Sequence, residues 1–528
     1  MSGSDASSDR KSGEFLDYPR ASPSIVTDRF ARVGMAFLVA YAAYRSLVNA
    51  ASKPLWLDEI CTAILVRQPN ARALWSALAS GADSHPPPYY LIERAASAIS
   101  QNEHLALRLP SIVGFCIVLI CIFILIKRRS GNAWALVCAS VPLMTILFDT
   151  YAVEARGYSL VCAFVAIALV CYQRAASMAW VVCMGLSLAC AEAIHYYAAL
   201  AFVPFAFAEI ALSVKERSFR LRVWVALFGA ILPLIAFLPL LLHLKQYYGP
   251  HFWSVPSLLN SASTYGWFLY LPVALGLALV TTLAVGVIEE LAFRSGPKTP
   301  SHEFVLLLGF LALPIIAFLA AKLAHGGLIN RYVLPSILGI PLAVGYASTR
   351  LGRRSGALIA CLIFSSLAAR ESWFWITHIR GGHLWQPISP ALAVETLAVS
   401  AGHASLPIVL GSNYLQIEHY ATPEWKQRFV AVVDIPASIA FGGSDSLDKL
   451  MLVLASIHPI QVQQFQDFAA RHPEFLLYDG KGLGRDWWTN RLIHDGYSLR
   501  LVSANDDDRI YLVSFPEKRV KDATLSSN

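Results

Sequence analysis

The chain has 528 residues, of which 56% are hydrophobic and 15% charged, and its formal net charge at pH 7 is +7. Soluble globular proteins are about one quarter charged, so this composition excludes an ordinary soluble domain and indicates a membrane protein. The basic residues lie in short loops between apolar runs, which argues against nucleic-acid binding. Most of the nine cysteines lie inside those runs, so neither a disulfide framework nor a Cys-based zinc site is expected.

The first 370 residues carry repeated apolar runs of the length of a membrane-spanning helix. About eleven such helices are expected, at 33–50, 109–126, 132–149, 157–173, 178–194, 196–213, 221–243, 266–288, 303–323, 331–348 and 355–370.

The distribution of basic residues predicts how these helices are oriented. Lys and Arg fall on every second connection, on the same side as the Arg-containing leader. The positive-inside rule then predicts a cytoplasmic N-terminus, with residues 1–30 as a disordered tail ahead of an uncleaved anchor. The basic connections are Lys127 to Arg129, Lys215 to Arg222, Arg294 with Lys298, and Arg350 with Arg353 and Arg354.

The first outer loop, residues 51–108, has structural signals of its own. Two short helices are predicted at 59–67 and 71–80, with Asn70 as the N-cap of the second helix and Gly81 at its end. The second helix has an apolar face that we expect to lie on the bilayer, formed by Leu74, Trp75 and Leu78. Farther along this loop, the stretch 89–100 is too short to span a membrane, and we interpret it as a helix in the outer interface.

The C-terminal region changes character at about residue 373. Its apolar runs are of strand length and alternate with helical stretches at 461–471 and 486–494, which predicts a small α/β domain over 373–528 outside the membrane. This region shows no catalytic motif, and its expected role is acceptor recognition or packing on the membrane domain, 31–372. Strands are predicted at 407–410, 429–433, 450–454, 475–478, 498–502 and 510–515.

An acidic pair, Asp58 and Glu59, follows the first predicted span. A carboxylate can accept the proton of an attacking hydroxyl, and a second one can orient the first or bind a divalent cation. The alternative is an acidic pair on a solvated loop. Ionisable residues are scarce inside the spans and gather near their outer ends, whereas a proton-coupled transporter would place them nearer the middle of the bilayer. The pattern favours a site on the outer rim.

The segment Ser84 to Tyr90, Ser-His-Pro-Pro-Pro-Tyr-Tyr, closes the same loop. Its prolines can end one helix and open the next, and Tyr89 suits the interfacial aromatic belt. His85 could also hydrogen-bond a substrate hydroxyl or a phosphate.

Three more arginines stand at the outer ends of predicted spans. Arg156 accompanies Glu154 in the motif Tyr151 to Ser159, either as an interfacial ion pair or as a phosphate contact beside a second acid. Arg331, followed by Tyr332, opens the tenth span, where it either snorkels or holds two oxygens of a phosphodiester. Arg108 is a similar candidate.

Taken together and in this order, the motifs resemble those of the GT-C glycosyltransferases that use polyprenyl-phosphate sugars, in the branch with protein O-mannosyltransferases and lipid A aminoarabinose transferases. The resemblance covers roughly residues 30–370. Pro88 stands where the family usually has a bulky aliphatic residue. Several relatives have Asp where this chain has Glu154, which leaves metal binding there open.

The resemblance implies a GT-C membrane fold and an inverting sugar transfer from an undecaprenyl-type phosphate. Asp58 maps to the catalytic base, and Arg331, with Arg156 and His85, to the groups that stabilise the leaving phosphate. We therefore expect Asp58 and Arg331 to lie close together at the outer face. The catalytic candidates are Asp58, Glu59 and Glu154; the substrate- or phosphate-binding candidates are His85, Tyr89, Arg108, Arg156, Arg331 and Tyr332; the candidate ligands of a divalent cation are Asp58, Glu154 and His85.

The predicted function is thus a glycosyltransferase of the cell envelope, with a polyprenyl-phosphate sugar as donor and an envelope glycan, lipid or protein as acceptor. The alternatives are a transporter or flippase of lipid-linked sugars and an inactive scaffold. The chain has no Asn-x-Ser/Thr sequon, which favours a bacterial plasma membrane.

Overall fold

The computed structural model describes residues 25–268, 300–324, 326–349, 351–382, 389–480 and 487–515. Most of the predicted leader and of the apolar run at 266–288 lies outside the described residues, as do Arg294, Lys298 and Arg350.

The first part of the chain is helical. Its helices are α1 Ile25–Ser52, α2 Leu57–Val66, α3 Ala71–Ala79, α4 Pro87–Ser97, α5 Glu103–Ser140, α6 Ile146–Asp149, α7 Tyr158–Tyr172, α8 Met178–Ile194, α9 Phe202–Glu216, α10 Leu221–Gly229, α11 Leu232–Tyr248, α12 Leu258–Phe268, α13 Ser301–Leu311, α14 Leu313–Ala324, α15 Gly339–Ser348 and α16 Arg353–Gly381. Short 3₁₀ helices lie at Val141–Met144, Tyr151–Val153, Tyr196–Ala201, Gly249–His251 and Asn330–Leu338.

Several of these helices are long and apolar enough to cross a membrane. Among the described residues there are five such segments, or up to seven if each of two bent helix pairs counts as one span. The predicted polytopic helical architecture is confirmed, whereas the number of about eleven spans stays a prediction. The five segments are Asp28–Ser52, Glu103–Met144, Tyr196–Glu216, Leu221–His251 and Ser355–Gly381.

The long helix α5 reverses direction at Gly131, whose φ of 82° is in the range that favours glycine. Before the turn, Lys127 Nζ lies 2.7 Å from Asp28 Oδ1, near the start of α1. After it the chain returns toward the other end of α1, where Arg45 Nη2 lies 2.8 Å from Asp149 Oδ1. The two apolar runs predicted on either side of this glycine are therefore two antiparallel arms.

The first outer loop confirms the predicted helix ends but not the predicted apolar face. Asn70 Oδ1 accepts a hydrogen bond from the N–H of Ala73 at 2.9 Å, and Gly81 ends the helix with a φ of 94°. Leu74 and Leu78, expected on the bilayer, are 2% and 1% exposed. The expectation was wrong because the inner face of α3 packs on the protein, with Leu74 and Leu78 in its hydrophobic core.

The stretch expected to lie in the interface is helix α4. Tyr89, Tyr90 and Glu93 are buried, and Leu91 is exposed. Pro87 is in the first turn of α4, as the proline signal predicted. One face of α4 therefore packs on the helix bundle.

The C-terminal region is an α/β domain, as predicted. Its strands are β1 Ile408–Val409, β2 Phe429–Val433, β3 Val462–Gln464, β4 Glu474–Gly480, β5 Ser498–Ala504 and β6 Asp508–Ser514, in the order β3-β2-β1-β4-β6-β5. The first four in this order are parallel, and β6 is antiparallel to both its neighbours. The helices are α17 Pro390–Ser400, α18 Tyr414–Tyr420, α19 Pro423–Lys426, α20 Ile435–Gly442, α21 Ser446–Ala455, α22 Phe465–Arg471 and α23 Trp487–His494.

One predicted strand of this domain is a helix. The run 450–454 lies inside α21, where Met451 and Leu454 are buried. Apolar residues at 447, 450, 451 and 454 have the spacing of one helical face. The strand was predicted because the run 450–454 taken alone is continuously apolar and of strand length. Conversely, the start of the helix predicted at 461–471 is strand β3, because Val462 pairs with Ala431 of β2.

Candidate active site

The acidic pair lies in the first turn of α2, and its two side chains have different surroundings. The N–H of Trp56 donates to Glu59 Oε2 at 3.2 Å, which caps the start of the helix. The side chain of Glu59 is 0% exposed, whereas that of Asp58 is 19% exposed. Asp58 is thus the member of the pair that a substrate can reach.

Glu59 and Arg108 form a buried two-pronged ion pair. Arg108 Nε donates to Glu59 Oε1 at 2.8 Å and Nη2 donates to Oε2 at 2.7 Å. Burial raises the pKa of Glu59, but the charge and hydrogen bonds of Arg108 outweigh it and hold that pKa below its usual value. The other donors of Arg108 reach the backbone carbonyls of Ala50, Lys53 and Pro54.

These contacts leave neither partner free to bind a ligand. Both side chains are fully buried, and Glu59 Oε1 also accepts the N–H of Ala155 at 2.8 Å. A phosphate could bind Arg108 only by breaking its buried ion pair with Glu59, which is strongly destabilising. The geometry therefore favours a positioning role for Glu59 and Arg108 over the catalytic and phosphate-binding roles expected from the sequence.

Asp58 and Arg331 lie together, as expected. Arg331 Nη2 is 2.7 Å from Asp58 Oδ2, and the side chain of Arg331 is 16% exposed. The guanidinium carbon lies 5.3 Å from the centre of the Trp56 ring and 5.9 Å from that of Tyr158. Two aromatic rings and a carboxylate thus hold an arginine that remains partly accessible.

Arg156 is held by an acid that the sequence did not single out. Its Nη1 and Nη2 donate to Asp83 at 2.6 and 3.0 Å, and Nη1 also reaches the backbone oxygen of Asp58 at 3.2 Å. Burial raises the pKa of Asp83, but the Arg156 charge outweighs it and holds that pKa well below its usual value. The only signal for Asp83 was its position directly before the Ser84-His85 motif.

His85 is buried in a cluster of aromatic rings. Its ring centre lies 4.7 Å from that of Tyr89, 5.8 Å from Tyr158 and 4.8 Å from His195. Burial, with the nearby charge of Arg156, lowers the pKa of His85 to about 4, so the imidazole is neutral at pH 7. Neither ring nitrogen of His85 makes a hydrogen bond within the described part of the chain.

Tyr332 extends this cluster from the other side. Its ring stacks on Tyr197 with centres 4.3 Å apart, and it lies 5.2 Å from His195. Through His195, which was not among the candidate site residues, it connects to His85. The candidates His85, Tyr89 and Tyr332 therefore belong to one aromatic wall next to Arg331.

Glu154 lies near the charged groups of the site. It is buried, and its Oε1 is 3.4 Å from Lys53 Nζ. Within the described ranges, no three Asp, Glu, His or Cys side chains form a group that could hold a metal ion. Asp58, Glu154 and His85 therefore do not come together as a ligand set for a divalent cation.

Comparison with known proteins finds one family match. Residues 84–243 match the family model described as dolichyl-phosphate-mannose-protein mannosyltransferase. The resemblance to polyprenyl-phosphate-sugar glycosyltransferases is thereby confirmed. The matched segment contains the His85 motif, Arg108, and the motif with Glu154 and Arg156. No curated protein sequence matches the chain.

Solved structures also match. Two of them are crystal structures of ArnT from Cupriavidus metallidurans, one in the apo state and one bound to undecaprenyl phosphate. Both share 13% sequence identity with this chain. The apo structure has a TM-score of 0.42 over 92% of this chain and 98% of its own, and the bound structure 0.40 over 90% and 97%.

Proposed function

We propose that the protein is an inverting glycosyltransferase that moves a monosaccharide from a polyprenyl-phosphate carrier to an acceptor at the outer face of the membrane. The observation that carries this proposal is the ion pair between Asp58 and Arg331, which is partly exposed at the end of the helix bundle. An acceptor hydroxyl needs a base, and a leaving lipid phosphate needs a cation. This pair supplies both groups at one place.

The reaction begins when the donor's phosphate replaces Asp58 as the partner of Arg331. The planar guanidinium can hold two phosphate oxygens, and it stabilises the charge that grows as the bond from the sugar to the phosphate breaks. Asp58, released from the pair, accepts the proton of the acceptor hydroxyl as that oxygen attacks the sugar carbon. Attack from the face opposite the phosphate inverts the configuration at that carbon.

The surrounding residues serve these two groups. Neutral His85 and Tyr89 are buried in the aromatic cluster beside Arg331. Because both ring nitrogens of His85 lack a hydrogen-bond partner among the described residues, His85 can bond a sugar hydroxyl or a phosphate oxygen that enters the site. Arg156 binds the backbone oxygen of Asp58 and holds the start of α2 in place. Glu154, 3.4 Å from Lys53 Nζ, is a second acid near these groups. The sugar carrier is a polyprenyl phosphate, and the acceptor is a glycan, lipid or protein of the cell envelope.

Replacing the base tests this proposal. In Asp58→Asn the side chain keeps its size but cannot take up a proton, so we expect sugar transfer to fall by about 10²–10⁴-fold, while the protein remains folded and inserted. The assay supplies radiolabelled polyprenyl-phosphate sugars to protein in liposomes with envelope extract as acceptor, and it measures free polyprenyl phosphate and labelled product.

The control is Asp506→Asn, which removes the same charge from an exposed position in the C-terminal domain. It should transfer sugar at the wild-type rate. Wild-type turnover in Asp58→Asn would refute the assignment of the base. Transbilayer movement of intact donor, with no release of polyprenyl phosphate by the wild type, would instead identify a flippase.

A further inference from the structure

A short segment, residues 53–55, joins helix α1 to the turn that carries Asp58. Arg108 Nη1 donates to the carbonyl of Lys53 at 2.6 Å, and Nη2 donates to that of Pro54 at 3.1 Å. The membrane domain itself therefore anchors the first two residues of this segment. Within the described ranges, no hydrogen bond from the membrane domain reaches the backbone of the third, Leu55, which is fully buried.

Helix α18 of the C-terminal domain binds both backbone polar groups of Leu55. The N–H of Leu55 donates to Tyr420 Oη at 2.6 Å, and Gln416 Nε2 donates to the carbonyl of Leu55 at 3.1 Å. Tyr420 and Gln416 are one helical turn apart, so they present their polar atoms on the same face. A distant part of the chain thus provides the hydrogen bonds that this residue would otherwise lack.

The hydroxyl of Tyr420 also connects to the membrane domain through His104. It lies 2.9 Å from His104 Nε2, while His104 Nδ1 lies 3.1 Å from the carbonyl oxygen of Lys53. A carbonyl only accepts, so Nδ1 carries the proton and Nε2 of the neutral ring is an acceptor. Tyr420 then donates its proton to Nε2 and accepts the N–H of Leu55. This arrangement of protons gives a hydrogen-bond partner to both ring nitrogens of His104, to the hydroxyl of Tyr420 and to the N–H of Leu55.

We propose that Tyr420 is a positioning residue through which the C-terminal domain holds Asp58 in place for sugar transfer. The inference rests on the proposed function and gives that domain a role in it. Asp58 lies three residues after Leu55, and Trp56 between them is already tied to Glu59. Removing the hydroxyl leaves the buried N–H of Leu55 without its partner, so the segment must shift. Small displacements of a catalytic group lower the rate much more than they lower binding.

Tyr420→Phe tests the proposal, because it removes the hydroxyl and keeps the ring. We expect kcat to fall by about tenfold, with the KM for the polyprenyl-phosphate donor changed by less than about twofold. The matched control is Tyr414→Phe at the other end of α18. Tyr414 Oη accepts the N–H of Gln461 at 2.8 Å, a contact inside the C-terminal domain. It should affect the stability of that domain but leave kcat unchanged.

Two results would overturn the proposal. One is wild-type kcat in Tyr420→Phe. The other is an equal loss of kcat in both variants, because that loss would reflect general damage to the domain.

Hydrogen–deuterium exchange separates this inference from the proposed function. In the full-length protein, Tyr420→Phe should speed exchange in peptides that contain Leu55 and Trp56, and Tyr414→Phe should not. If the wild type transfers no sugar but this exchange pattern appears, the proposed function fails and the coupling between domain and segment stands. If exchange near Leu55 does not change, the coupling fails whatever the activity.

Discussion

At the scale of single residues, the buried charges are of two kinds. One kind is a pair that is almost fully buried, with its two partners joined by two hydrogen bonds. Glu59 forms such a pair with Arg108, and Asp83 forms one with Arg156. Removing one partner of such a pair costs about 3–5 kcal/mol, because the other charge is left buried and unpaired. These pairs hold loops in place. The pair of Asp58 and Arg331 is partly exposed, so a charged substrate can exchange with it.

Glu93 is a buried acid without a cationic partner among the described residues, and it gives a prediction about pH. Burial, with the charge of Glu59 nearby, raises its pKa well above the usual value. An acid with a raised pKa in the folded state stabilises that state below the unfolded pKa and loses this contribution as pH rises through the folded pKa. The contribution of Glu93 to wild-type stability should therefore decline as pH rises from about 4.3 toward that higher pKa.

Glu93→Gln removes this titration. We expect its melting temperature in detergent to exceed that of the wild type at pH 7.5, and the difference to shrink as pH is lowered toward about 4.5. Asp506→Gln, at an exposed position, should show no such pH-dependent difference. A gap between Glu93→Gln and wild type that is constant over this pH range would show that Glu93 is already ionised in the folded protein.

At the scale of elements, the reversal inside α5 depends on one glycine. Gly131 has φ 82° and ψ 176°, a region that residues with a side chain rarely adopt. A Cβ at this position would meet no atom within 4 Å. A substitution there therefore strains the backbone without causing a clash.

Gly131→Ala should lower the free energy of unfolding by about 1–3 kcal/mol, measured as a lower melting temperature in one detergent. Gly229→Ala is the control, for which the expected change in the free energy of unfolding has the opposite sign. Gly229 is the last residue of helix α10, and a Cβ there also has open space. Alanine should raise stability by up to about 1 kcal/mol at that position. Equal effects of the two substitutions would argue against a strained turn in α5.

At the scale of the whole molecule, the two ends of the bundle have different characters. Lys127 pairs with Asp28 near the start of α1, a helix of 28 residues and about 42 Å in length, and Asp58 follows its other end. The C-terminal domain docks at the Asp58 end, where Lys449 Nζ also approaches the ring of Tyr247 at 5.1 Å. The site and the C-terminal domain therefore share one side.

This arrangement predicts how single cysteines react in intact cells. In a cysteine-free background, Asp506→Cys in the C-terminal domain should react with a membrane-impermeant maleimide added outside. Lys215→Cys, exposed at the opposite end, should react only after permeabilisation. Labelling of both cysteines from outside, or the reverse pattern, would contradict an outward-facing site with a cytoplasmic N-terminus.

The parts of the site that could be predicted are those with strong local signals. Asp58, His85 and Arg331 are charged or polar residues beside apolar runs, and in a membrane protein such residues stand out. Asp83 and His195 were missed because their importance comes from partners far away in the chain. Glu59 and Arg108 were recognised as candidates for catalysis and phosphate binding. Those roles required side chains free to bind a ligand, and their spacing in the sequence does not reveal that the two residues pair with each other.

The sequence by itself determined the class of the molecule and the ends of many helices. Long apolar runs must be helical in a bilayer, since no water there can satisfy the backbone, and caps such as Asn70 act within four residues. Only the tertiary structure decided that Leu74 and Leu78 face protein, that Asp58 rests against Arg331, and that Tyr420 holds Leu55. Those contacts join residues remote in sequence, and their energy depends on burial that arises only when the helices and the C-terminal domain pack together.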